Sequence, residues 1–148
     1  KGASVLNEFC QEHGYTSTQL GREFLASNPT DDNYTSASDC CRLLSDIYSG
    51  TMVNADASAD MLALLKAQTR TGKIPSGVPS GVETANKTGE LSAGDGLGAV
   101  ENDIAIVFDK EHPYVLCVLS NNIQNNSSAQ ETIKKISADV YQYMTSRK

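Results

Sequence analysis

The 148-residue sequence predicts one α+β domain in which helices come first, strands follow and a last helix closes the chain. Three observations predict it. Apolar residues recur at helical spacing in three segments before residue 70 and in one after residue 128. Two short, nearly continuous apolar runs at 104–108 and 114–119 read as strands covered on both faces. A Gly- and Pro-rich stretch, 72–81, separates the two regimes as an irregular connection.

The elements follow in order. A helix over 4–13 carries Val5, Leu6, Phe9 and Cys10 on one stripe, with Gly14 as its C-cap. The polar stretch Asn28 to Tyr34, with Pro29, Asp31 and Asp32, is a loop. A second helix over 36–49 opens on Ser36 and Asp39, placed as a capping box with Asp in the usual Glu position. It carries Cys40, Leu43, Leu44, Ile47 and Tyr48 on one face, and Gly50 stops it. A third helix, 55–68, turns Met61, Leu64 and Leu65 inward. Strands are expected at 82–88, 104–108 and 114–119, and the short polar link 109–113 suits antiparallel neighbours. Ser128 and Glu131 form a second capping box and open a helix over 128–145. Its stripe of Ile133, Ile136, Val140 and Met144 can cover one face of the sheet.

Composition narrows the function classes. Hydrophobic residues make up 39%, enough for a core under a polar surface. The net charge of −6, with no basic run, argues against nucleic acid or an anionic membrane as partner, since both need clustered Lys and Arg. No apolar stretch reaches membrane-spanning length, and the first residues show no signal peptide. Cys10, Cys40, Cys41 and Cys117 match no zinc spacing, and neither His13 nor His112 has a partner at metal-ligand spacing; no metal or organic cofactor is expected. The cysteines are expected to be free thiols acting as small apolar groups, with a Cys10–Cys40 disulfide as the open alternative. Gly94, Gly96 and Gly98 alternate without a following phosphate-loop lysine, which makes them a hairpin or loop.

The informative tripeptide is Lys87-Thr88-Gly89, at the end of a strand that leads into a Gly-rich turn. Alone it is a weak signal, because a solvated strand-end lysine is common. Its surroundings are more specific. Thr71-Gly72 and Gly77-Val78-Pro79-Ser80-Gly81 precede it. Asn102-Asp103-Ile104-Ala105-Ile106 and Tyr114-Val115-Leu116-Cys117-Val118-Leu119-Ser120 follow it. Thr18, Leu20 and Arg22 are similar to the approach to an omega loop. Together these resemble the C-terminal half of the class A β-lactamases and penicillin-binding serine hydrolases, whose motifs include K-T-G. The resemblance covers about Ser4 to Met144.

It implies a β-lactamase-like fold, incomplete relative to the full family domain, and a role for each residue of the motif. Lys87 would hold the substrate carboxylate and orient the neighbouring serine motif. Thr88 would hydrogen-bond the same carboxylate, and Gly89 would let substrate approach the strand. The backbone N–H of Glu90 would be an oxyanion-hole donor. The substrate would be a β-lactam or a D-alanyl peptide, the chemistry acyl transfer, and the location extracytoplasmic.

The departures matter equally. No S-x-x-K spacing occurs, and Ser120-Asn121-Asn122 fits S-x-N by letter but follows the last strand, where a strand-to-helix turn is expected. Efficient β-lactamases of the family carry E-x-x-L-N in the omega loop. Here the glutamate position falls on Phe24 or on Gly21, depending on the alignment, and Glu23 lies beside both as the only candidate base. The chain is therefore expected to need a complementary N-terminal segment or a second copy. The rival reading is a non-catalytic binding or interaction module on the same fold.

Overall fold

A computed structural model describes residues 2–23, 32–94 and 98–147. The order is α1 (Gly2–Glu12), α2 (Ala37–Tyr48), α3 (Ala55–Lys66), α4 (Ile74–Gly77), β1 (Glu83–Leu91), β2 (Val100–Phe108), β3 (Tyr114–Val118) and α5 (Asn126–Ser146). The α+β class and the three antiparallel strands are as expected, in the order β1-β2-β3. Among the described residues, no helix is long and apolar enough to cross a membrane.

The sheet is covered on both faces, and each face has its own core. On one, Ala85 and Ile106 pack with Leu44 and Ile47 of α2 and with Cys10, Tyr15 and Met52. On the other, Ala105 and Val107 pack with Ile74 of α4 and Ile133 of α5. Burying each large aliphatic side chain contributes about 1.5–3 kcal/mol. Tyr15 stays polar at its tip: its hydroxyl donates to Asp46 at 2.8 Å, and burial followed by that carboxylate pushes its pKa up to about 12.

Capping explains several helix limits. Ser36 accepts from the Asp39 N–H, as expected, but Asp39 does not close the box. Its carboxylate accepts instead from the Ser17 N–H at 2.9 Å and the Thr18 hydroxyl at 2.7 Å, tying the 15–18 turn to α2. The capping box at Ser128 is a misreading. Asn125 caps α5 by accepting from the Ser128 N–H, and the helix starts at Asn126. Gly14 and Gly50 both follow helices with φ of +75°, a conformation that favours glycine.

Three apolar stripes are corrected. On α1, Val5 is 65% exposed and Leu6 is also exposed, so only Phe9 and Cys10 of the expected four pack on the core. On α3, Leu64 is 75% exposed while Leu62 packs inward with Met61 and Leu65. Ser58, Met61, Leu62 and Leu65 share one helical face, and position 64 lies round the back of it. On α5, Ile136 is exposed, and Ser137 is buried in the face between Ile133 and Tyr141. The Ser137 hydroxyl donates to the Ile74 carbonyl at 2.8 Å, which satisfies both groups. Gly77 makes this crossing close, since a Cβ there would run into the Lys134 carbonyl and Ser137.

The irregular connection 72–81 contains the helical turn α4, which drives Ile74 to complete burial. Strands β1 and β2 are longer than expected. β1 runs through Gly89 to Leu91, because β2 begins at Val100 and supplies partners for Gly89, Glu90 and Leu91 at Asn102, Glu101 and Val100. The tripeptide therefore lies inside a strand rather than at its end. All of β3 is only half-buried, short of the two-sided cover expected for it. Ser120-Asn121-Asn122 is the turn expected after it, with Asn122 at φ +50°. The four cysteines are free thiols. The expected loop over 28–34 lies outside the described residues up to Asp31, as do Phe24 and the middle glycine of the 94–98 run.

Candidate functional site at the K-T-G strand

Alternation along β1 divides the motif between the two faces of the sheet. Lys87 shares the face of Ala85, toward α2 and α3, and is exposed. Its ammonium group donates to the Thr88 carbonyl. Thr88 points to the α4 and α5 side and is 5% exposed. Its hydroxyl is buried without a hydrogen-bond partner. It lies close enough to the Glu90 carboxylate to help hold that group ionised, but misses hydrogen-bond geometry. Gly89 stands opposite Asn102, where a Cβ would make only ordinary contact at 3.6 Å.

Glu90 brings a side chain into the site, whereas the sequence drew attention only to its N–H. Its carboxylate takes Lys73 Nζ on Oε1 at 2.9 Å and Arg70 Nη1 on Oε2 at 2.9 Å. Lys73 is the hub. Its side chain is 5% exposed, and its ammonium also meets Glu101 Oε2 at 2.6 Å and the Asn102 carbonyl at 2.9 Å. Glu101, 2% exposed, accepts on Oε1 from Asn126 and Gln130 of α5, each at 2.9 Å. Burial pushes Glu90 and Glu101 upward, yet the Lys73 hydrogen bonds and charge, with the neighbouring donors, carry both below the usual carboxylate range.

Asp103 behaves differently. It is fully buried and accepts from the Ile74 N–H at 2.9 Å and the Asn86 amide at 3.0 Å. Burial outweighs these bonds and the nearby Lys73, so its carboxyl sits above the usual range.

Lys87, Thr88, Gly89 and Glu90 are thus brought together by one strand. Glu23 is not part of this assembly. It is exposed in the stretch 21–23, where Gly21 and Arg22 donate backbone N–H groups to Asn33 at 3.0 Å and Arg22 pairs with Asp32. Among the described residues no group of His, Cys, Asp and Glu is arranged to hold a metal ion.

The profile of the family described as "Beta-lactamase enzyme family" matches residues 2–144. The chain belongs to this family. Beta-lactamase 3 of Bacillus cereus is 30% identical over 138 residues, 89% of this chain and 42% of that protein. The fold is similar to that of a β-lactamase from Sphaerobacter thermophilus (TM-score 0.86, 20% identity, 99% of this chain and 55% of that one). It is also similar to the TLA-1 extended-spectrum β-lactamase (TM-score 0.83, 19% identity, 96% and 54%) and to PBP-A (TM-score 0.74, 20% identity, 96% and 52%). The chain spans about half the length of these relatives, and 42% of the curated one.

Around this β-lactamase-family strand, the sequence reading assigned no role to Arg70 and Lys73 of the α3–α4 connection, Asn86 of β1, or Glu101 and Asp103 of β2. One signal was available. Glu101 and Asp103 lie in the same period-two phase as Ala105 and Val107, so extending the strand backward places two carboxylates on a buried face.

Proposed function

We propose that this chain forms part of a serine hydrolase that acts on β-lactams or D-alanyl peptides through an acyl-enzyme, located outside the cytoplasmic membrane. It would contribute the K-T-G strand and the Glu90 N–H as an oxyanion donor. The observation that carries this is the placement of Lys87-Thr88-Gly89 inside an edge strand of a β-lactamase-family fold, with the Thr88 hydroxyl unpartnered. The reacting serine would come from the rest of a full-length domain, in the same chain or a second copy. β3 supports such a partner: it is the other edge of the described sheet, and all five of its residues are half-buried.

Labelling of the full-length protein with a fluorescent penicillin tests the reading. Covalent label is expected, and Lys87→Ala should slow its formation by the equivalent of about 2–4 kcal/mol, the scale of losing one preorganised electrostatic donor. No label, or labelling of folded Lys87→Ala at the wild-type rate, would overturn it; the first result favours a non-catalytic module. The acyl-enzyme should be long-lived, since neither Gly21 nor Phe24 can accept a proton from the hydrolytic water. Fast turnover that collapses in Glu23→Gln would make Glu23 the base instead.

A further inference from the structure

Cys41 and Cys117 stand on facing elements, on the side of the sheet away from α5. α2 packs against β3, and strand alternation puts Cys117 on the same face as Val115, toward the core that α2 covers. Cys41, Ser45 and Tyr48 follow one another at helical spacing along one wall of a groove of about 490 Å³, with Val115 and Ile106 on the opposite wall. Cys41 is the N-terminal end of the helix wall, and Cys117 is the next residue of its face beyond Val115. Burial first, and the neighbouring Cys41 thiol next, push the Cys117 thiol up, an influence that needs the two sulfurs close together; Cys40 and Asp103 act more weakly in the same direction. The adjacent Cys40 is turned away, since successive helical residues are about 100° apart. Its sulfur lies 3.5 Å from the Thr35 hydroxyl, and it lines a separate cavity with Cys10 on the α1 side.

We propose that Cys41 and Cys117 are a redox pair, present here as two thiols, which a low-molecular-weight disulfide closes into a stabilising bridge between α2 and the edge strand β3. Cys41, half-exposed on the groove, is the attacking group. As thiolate it displaces one thiolate from the small disulfide and forms a mixed disulfide. Cys117 then gives its proton to solvent and attacks the Cys41 sulfur, expelling the second thiolate. Two cysteine thiols and one small disulfide thus become one protein disulfide and two small thiols. The second step is the slower, because burial keeps Cys117 protonated. All of β3 is half-buried and it borders the groove, which leaves it room to adjust to disulfide geometry. The bridge closes a loop of about half the chain, so it restricts the unfolded state strongly. The K-T-G residues lie on β1, the other edge of the sheet, and the pair owes nothing to the acyl-transfer reading.

The test is oxidation of the full-length protein by oxidised glutathione at mildly alkaline pH, with alkylation of the remaining thiols, digestion and peptide mass analysis. A linked peptide pair holding Cys41 and Cys117 is expected, with Cys10 recovered as an alkylated thiol. The oxidised protein should melt about 5 °C or more above the reduced one, and dithiothreitol should reverse both changes. In Cys117→Ser the glutathione should stay on Cys41 as a mixed disulfide, and the difference in Tm should vanish. A Cys10–Cys40 bridge in place of the expected one, glutathione left on Cys41 of the wild type, or no reaction at either thiol each overturns the proposal. So does a bridged protein that melts no higher than the reduced one. These outcomes are all read on the wild type, so the proposal stays exposed to refutation even where Cys117→Ser does not fold.

Discussion

Removing the Lys73 ammonium should be among the most damaging single changes available to this domain. Its side chain is 5% exposed and meets Glu101 at 2.6 Å and Glu90 at 2.9 Å. At an effective dielectric near 20, each contact represents about 6 kcal/mol of gross attraction, offset by several kcal/mol of desolvation per ion. In Lys73→Met the attraction vanishes while Glu101, 2% exposed, stays buried with Asn126 and Gln130 as its side-chain donors among the described residues. Breaking such a pair from one side costs about 3–5 kcal/mol, a large part of a domain's stability of about 5–15 kcal/mol. Urea unfolding followed by circular dichroism measures the loss. The pH dependence gives a second reading. In wild type, Glu101 and Glu90 lie below their ordinary value of 4.5, so their contribution is present above that pH and is lost as pH falls through the folded values. In the variant, burial without the cation raises Glu101 above its unfolded value, a penalty that fades as pH falls toward the unfolded pKa. The deficit should therefore narrow in acid. Adding Glu101→Gln should restore at least half of it. A deficit of Lys73→Met within about 1 kcal/mol at pH 7, or one that widens in acid, would refute this account.

Two further outcomes follow from packing. Gly77→Ala should cost about 1–3 kcal/mol, because the new methyl meets the Lys134 carbonyl and Ser137; an unchanged Tm would show that α4 and α5 separate freely. Burial raises the Cys10 and Cys117 thiols, and the neighbouring Cys41 thiol raises Cys117 further, so a disulfide reagent at pH 8 should modify both far more slowly in the folded than in the unfolded protein. A single fast phase covering all four thiols would contradict that environment.

The sequence made legible what depends on local rules. Ser36 capping α2, Gly14 and Gly50 at helix ends, and the antiparallel strand order all follow from spacing and turn chemistry. What it hid depends on partners distant along the chain. Asn102-Asp103 falls outside the apolar run 104–108, and its polar groups are satisfied only by Lys73, Ile74 and Asn86, 29 residues away for the first two interactions and 17 for the last. The α5 start was misplaced because Asn125 and Ser128 compete for the same cap, and only the geometry shows Asn125 accepting. The motif residues were legible because their order is local. The role of the Glu90 side chain was not, because it is made by Arg70 and Lys73.

The same buried charges join the fold to the site. Lys73 holds a side chain of β1 through Glu90 and a side chain and a carbonyl of β2 through Glu101 and Asn102. Glu101 in turn anchors the first turns of α5 through Asn126 and Gln130. A slip of one residue between β1 and β2 would send Glu90 or Glu101 to the opposite, apolar face and leave buried Lys73 with one carboxylate in place of two. The network thus fixes the register that sets Gly89 opposite Asn102 and Glu90 opposite Glu101. It does so beside the Lys87-Thr88-Gly89 tripeptide, which places the Thr88 hydroxyl without using it. A polar cluster of this kind adds little net stability compared with apolar packing, but it penalises every misaligned pairing. On that ground the charges around Lys73 are the part of this chain where buried polar groups contribute specificity of folding.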